Sequence, residues 1–185
     1  TTTHTATIDD DDAEPSVAFT AASQSSADET GTMTITAQLS STSGKDVTVP
    51  FTINGSSTAA DPDDYTITAS PITITAGSTT ADITITIADE ALDEANETVI
   101  VDMGAPTNAT TGATTTHTAT ITDDDGAPNV TFTAASQSSG TESGTMTITA
   151  QLSATSGVDV TVPFIINASS TAADPADYTI TASPI

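Results

Sequence analysis

The 185-residue chain carries a formal net charge of −24, with Lys45 as its single basic residue and no arginine. Such a balance excludes a nucleic-acid binder, which needs Lys and Arg to neutralise phosphates, and disfavours docking on anionic membranes. No cysteine is present, so there is no disulfide framework, and 36% hydrophobic residues in regular alternation argue against the disorder that acidity alone would suggest.

The first stretch, residues 1–12, returns almost unchanged at 114–125. Sliding the chain by 113 positions lays residues 1–72 over 114–185 with about 59 of 72 identical. That period is far longer than a solenoid repeat. The expected organisation is the last strand of a preceding repeat (1–12), one complete repeat (13–125) and the N-terminal part of a following repeat (126–185). No apolar run approaches the length of a membrane span, and no signal peptide is expected of a segment that begins inside a repeat.

Within the complete copy the apolar residues alternate with period two, and Thr makes up roughly a quarter of the chain, both signatures of strands. Val17 and Phe19 mark a first strand. Met33, Ile35, Ala37 and Leu39 mark a second. Val47, Val49, Phe51 and Ile53 form a third, in which Pro50 falls on the opposite face and implies an edge or non-bonded position. Tyr65, Ile67, Ile72 and Ile74 form a fourth strand interrupted at Pro71. Ile83, Ile85 and Ile87 give the fifth, and Val99, Val101 and Met103 the sixth. His117, Ala119 and Ile121 give the seventh, with His4 in the same inward phase one repeat earlier. Seven short strands and a repeat near 110 residues predict an all-β, immunoglobulin-like β-sandwich. One face of each strand is Thr-rich because only one side of each sheet is covered.

In such a sandwich alternate connections share an end of the molecule. One set carries Asp28 and Glu29; Asp61, Asp63 and Asp64; Asp89, Glu90, Asp93, Glu94 and Glu97; and Asp123, Asp124 and Asp125. About 13 of the 17 acids of this copy therefore belong to one end, while the other set of connections is nearly uncharged. Adjacent carboxylates repel one another, and a fold gathers them when a cation offsets the cost. Oxygen ligands in loops suit Ca²⁺, which takes six to eight oxygens, better than Mg²⁺. The His and Cys sets of zinc sites are absent.

The run Ile87-Ala88-Asp89-Glu90-Ala91-Leu92-Asp93-Glu94-Ala95-Asn96-Glu97 has Asp64-Tyr65 before it and Ile121-Thr122-Asp123-Asp124-Asp125 after it. Together these resemble the Calx-β repeat, a module of sodium–calcium exchangers and of long arrays in bacterial surface proteins. The resemblance covers residues 13–125 and implies a seven-stranded sandwich that binds Ca²⁺ at its distal loops. It implies ligands at Glu29, Asp89, Glu90, Glu94, Glu97, Asp123, Asp124 and Asp125. The family's acid between the third and fourth strands is Ser56 here, with Asp61 or Asp64 as substitutes. The matching positions of the partial copies are Asp10, Asp11, Asp12 and Glu142.

Other features have plainer readings. The histidines lack a nucleophile with an activating context, and paired carboxylates without Trp or an aromatic platform do not make a glycosidase. No enzyme is expected. Thr-x-Thr runs are ordinary outward strand residues, and Asn-x-Ser/Thr triplets arise by chance in so Thr-rich a chain. The leading expectation is a calcium-binding structural module of a long extracellular, cell-surface rod or fibre, as in a bacterial adhesin. Ca²⁺ would stiffen its junctions, and its partners would be neighbouring repeats. Two alternatives are a glycan- or protein-binding adhesion module using the Ca²⁺-bearing loops, and a fibre subunit that polymerises by strand donation.

Overall fold

A computed structural model describes residues 1–9, 11–25, 28–138 and 143–185. Among these residues there is no helix, and none long and apolar enough to cross a membrane. The chain divides into two units: Thr1–Glu90 with Asn96–Thr122, and Ala91–Ala95 with Asp123–Ile185.

The first unit is a β-sandwich. Its strands are β1 (Ser16–Phe19), β2 (Ser23–Ser25), β3 (Thr32–Leu39), β4 (Val47–Val49), β5 (Phe51–Ile53), β6 (Tyr65–Ile67), β7 (Ile72–Ile74), β8 (Thr80–Ile87), β9 (Glu97–Met103), β10 (Thr110–Thr111) and β11 (Thr116–Ile121). One sheet runs β10-β1-β3-β8-β6 and the other β2-β11-β9-β5, with β4 and β7 as a separate antiparallel pair. Alternation dictates the packing: along β3, Met33, Ile35, Ala37 and Leu39 are buried between outward Thr32, Thr34 and Gln38. Val17, Ile83 and Ile85 from one sheet and Val99, Val101 and Ala119 from the other enter a single core. Phe19 of the first sheet meets His117 of the second edge-on, ring centroids 6.4 Å apart.

The first expected strand is β1, antiparallel to β3; beyond it the chain crosses to the other sheet, where β2, unmarked by periodicity, pairs parallel with β11. Two expected strands, the third and the fourth, prove to be two pieces each. The third breaks at Pro50, which has no N–H to give a ladder, so β4 pairs with β7 while β5 becomes the edge of the second sheet beside β9. The fourth breaks before Pro71, and β6 and β7 take different partners. The expectation for His117 and that for His4 part company. His117 is buried and shares a 2.7 Å hydrogen bond between its Nδ1 and the Ala21 carbonyl. His4 lies in residues 1–9, which form no strand and are exposed, since no sheet pairs with them here.

Register fixes where the loops emerge. Thr32 stands opposite Thr86 and Tyr65 opposite Ile87, so β3 and β6 begin where β8 ends. Glu97 opens β9 opposite Ile121, the last residue of β11. The 54–64 connection closes this end: the N–H groups of Thr58 and Ala59 donate to Thr98 of the second sheet, and the Asp64 carbonyl accepts from Ala88 beyond the first. Gly31, at φ 86°, makes the left-handed turn into β3 and accepts from the Ile87 N–H at 3.0 Å. Lys45 lies at the other end, in a turn where its N–H donates to Ser43 Oγ and the Gly77 N–H donates to the Ser43 carbonyl.

In the second unit, among the described residues, β12 (Val130–Phe132) and β13 (Ala150–Leu152) form, paired antiparallel. Phe132, Met146 and Ile148 are exposed here, where Phe19, Met33 and Ile35, one period earlier, are buried.

Two outcomes follow for this fold. Ile35 is 1% exposed and its repeat equivalent Ile148 is 60% exposed. In urea denaturation of the sandwich, Ile35→Ala is expected to cost about 2–5 kcal/mol, and Ile148→Ala under about 0.5 kcal/mol. Asp102 on β9 accepts from Thr116 Oγ1 and Asn54 Nδ2, both at 2.7 Å, and these bonds hold its carboxyl below the ordinary value. A depressed folded-state value means that this contribution is present above the unfolded value and lost as pH falls through the folded one. Asp102→Asn is therefore expected to flatten the acid limb of a stability–pH curve; an unchanged limb would show that the carboxylate adds nothing.

Candidate metal centre

The acidic connections are best built up one unit at a time. In the first unit, the 61–64 turn is closed on itself: the Asp64 N–H donates to the Ala60 carbonyl at 2.9 Å, and the Asp64 carboxylate accepts from the Ala60 N–H. The Ala88 N–H donates to the Asp64 carbonyl at 2.8 Å, tying this turn to the exit of β8. This brings Asp64 and Glu90 together, with a carboxylate oxygen of each within 4.8 Å of the other. Two such charges repel by about 1 kcal/mol in bulk water and several times more in a partly buried site. Tyr65, the buried first residue of β6, registers the same field. Burial and then the charges of Asp61 and Asp64 push its phenol above the ordinary value.

Glu29 is 5% exposed, an uncommon position for a carboxylate. Glu97 sits half-buried at the start of β9, while Asp61, Asp63 and Asp89 are exposed. The only basic side chain of the chain, Lys45, belongs to the turn at the far end of this sandwich.

In the second unit, Asp123 and Asp125 also bring carboxylate oxygens within 4.8 Å of each other, and Asp123 Oδ1 accepts from the Glu94 N–H at 3.1 Å. Asp124 is exposed between them. Ala91–Ala95 clusters with the following repeat, because Asp93 forms a parallel bridge with Ser156 and accepts from the Gly157 N–H at 2.9 Å. Asp11 and Asp12 are exposed coil, and Asp10 and Glu142 lie outside the described residues.

Both pairs are hard oxygen donors on loops, the donor chemistry that Ca²⁺ takes, and neither offers nitrogen or sulfur. A family model of the Calx-beta domain matches residues 10–125 and again residues 123–184. The chain belongs to the Calx-beta domain family. The crystal structure of the apo-form Calx CBD1 domain is similar at TM-score 0.54 and 16% identity, over 61% of this chain and 100% of that one. CBD12 from CALX1.2 is similar at TM-score 0.53 and 18% identity, over 64% of this chain and 48% of that one, so this Calx-beta chain spans about half of it. The calcium binding domain CBD12 of CALX1.1 gives TM-score 0.54 and 18% identity over the same shares, 64% and 48%. At these identities the likeness is one of fold. No curated protein matches the chain in sequence.

Asp64 carries both a charge and a turn-closing acceptor, and substitutions separate the two. Without divalent cations, Asp64→Asn keeps an acceptor for the Ala60 N–H and removes one repelling charge, so the melting temperature should hold or rise. Asp64→Ala loses the acceptor and should cost about 1 kcal/mol. Thermal unfolding in chelator distinguishes them; equal losses for both would show that the charge is not opposed.

Proposed function

We propose that this Calx-beta chain is a calcium-binding structural module of a long extracellular repeat protein that forms a rod or surface filament. The observation that carries the reading is the pairing of carboxylates, Asp64 with Glu90 and Asp123 with Asp125, in a chain with one lysine and no arginine. Ca²⁺ would supply the missing positive charge and bridge loops that otherwise repel. Asp61, Asp64, Asp89, Glu90, Glu97 and the buried Glu29 are its ligand candidates in the first unit. Glu94, Asp123, Asp124 and Asp125 are those in the second. The carboxylates bind and orient the ion; no reaction is assigned to them.

The structural rather than recognitive role rests on sequence. Repeats about 59 in 72 identical suit a spacer built of interchangeable parts better than a set of distinct recognition domains. The neighbouring repeat is accordingly the first partner of each module, with only a few residues and a proline between copies at Asp12-Ala13-Glu14-Pro15 and Asp125-Gly126-Ala127-Pro128.

Thermal unfolding with Ca²⁺ and with chelator tests this reading. A ligand that binds only the folded state stabilises it by RT ln(1 + [L]/Kd). Well above Kd the melting temperature should therefore rise by about 4 °C or more. Mg²⁺ should fail to reproduce the rise, and changing Asp123, Asp124 and Asp125 together to Asn should reduce it. Identical melting in Ca²⁺ and chelator would leave the carboxylates as a solvated surface and remove the calcium reading.

A further inference from the structure

The segment Ala91–Ala95 belongs by sequence to the complete repeat, yet Asp93 within it is hydrogen-bonded to the turn at 153–159 of the following one. The Gly157 N–H donates to the Asp93 carbonyl at 2.9 Å, and Ser156 Oγ donates to Asp93 Oδ2 at 3.1 Å. Glu94 lies so close over Gly157 that a Cβ there would overlap its side chain. The serine supplies a hydroxyl that meets the Asp93 carboxylate, and the glycine leaves room for the Glu94 side chain.

The complete repeat carries the same turn one period earlier, with Thr42-Ser43-Gly44 for Thr155-Ser156-Gly157. Its conformation matches. The N–H two residues after Gly's neighbour serine closes on that serine's hydroxyl in both, Lys45 to Ser43 Oγ at 3.0 Å and Val158 to Ser156 Oγ at 3.3 Å. What differs is the surroundings: a Cβ on Gly44 would meet nothing within 4 Å. Beside Gly44 runs a groove of about 270 Å³ between the 42–45 turn and the 12–15 stretch. Lys45 stands where the following repeat has Val158, and it lines this groove together with Asp12 and Glu14.

We propose that this groove is the seat of a second copy's 91–95 segment, with Ser43 and Gly44 receiving that copy's Asp93 as Ser156 and Gly157 receive it here. The occupant is an acidic loop of the same repeat, and Lys45 faces its carboxylates. Each repeat thus holds a short piece of the repeat before it by backbone and serine hydrogen bonds. The proposal rests on the tandem reading above but not on calcium.

The test uses this chain lengthened at its N-terminus by one further 113-residue period, in register. The absence of cysteine makes a single engineered pair unambiguous. Asp93→Cys in the added copy, paired with Ser43→Cys in the next, is compared under mild oxidation with a control partner at Gly55→Cys, on the 54–64 connection. The Asp93→Cys and Ser156→Cys pair in the present chain serves as the positive reference. The seated pair is expected to cross-link at least about tenfold faster than the control, as effective concentration dictates, and Lys45→Glu should slow it. Cross-linking no faster than the control, with the reference pair closing normally, would overturn the proposal. Running each arm in Ca²⁺ and in chelator, with melting temperatures alongside, separates this outcome from a failure of the calcium reading.

Discussion

Carboxylates that far outnumber the basic residues of the molecule are the constraint on which the rest of this structure depends. With 25 acids against one basic residue, every loop that gathers two of them adds repulsion that packing elsewhere must offset. The sandwich confines the problem. Its strands are Thr, Val and Ile, nearly free of charge, so register decides where the acids go. Because Thr32, Tyr65 and Ile87 align at one end of the first sheet and Glu97 with Ile121 at one end of the second, the connections that carry acids leave together. The alternation that buries Ile35 and Ile85 is therefore also what assembles Asp64 with Glu90.

Period-two alternation made the long strands legible. β3, β8 and β11 bury every second residue and expose the Thr between them, and a one-residue slip would have turned each apolar set to solvent. The pieces that escaped a periodic reading have physical reasons. β2 is Ser-Gln-Ser, with no apolar residue to signal burial, and exists because β11 needs a partner on that edge. β10 is two threonines held parallel to β1. Pro50 warned of a break but could not say that its two sides would join different partners, since that depends on where β7 and β9 run.

For the candidate centre, strand order alone groups the acids of alternate connections, whereas Glu90, Asp123 and Asp125 as ligands, with Asp61 or Asp64 as substitutes, came from the resemblance to the family. The burial of Glu29 could not be read from the sequence, because an acid at a loop's end carries no sign of what covers it. Nor could the fate of Asp93. A five-residue coil held by a bridge to Ser156 and a donor from Gly157 has no periodicity, and its partner lies more than sixty positions away.

The same segment bears on why near-identical copies follow one another. In an array of dissimilar domains each junction must be solved separately, whereas here the receiving turn recurs with the 113-residue period. Thr42-Ser43-Gly44 and Thr155-Ser156-Gly157 are unchanged between copies, while Lys45 and Val158, which follow them, are not. The invariant part supplies the backbone N–H and the hydroxyl that bond Asp93, and room for the Glu94 side chain. The variable part supplies charge, which shifts the strength of the contact and its sensitivity to salt without altering its shape. A repeat protein with one hydrogen-bonding pattern and a variable flanking residue keeps its geometry from copy to copy while the strength of each junction is set locally.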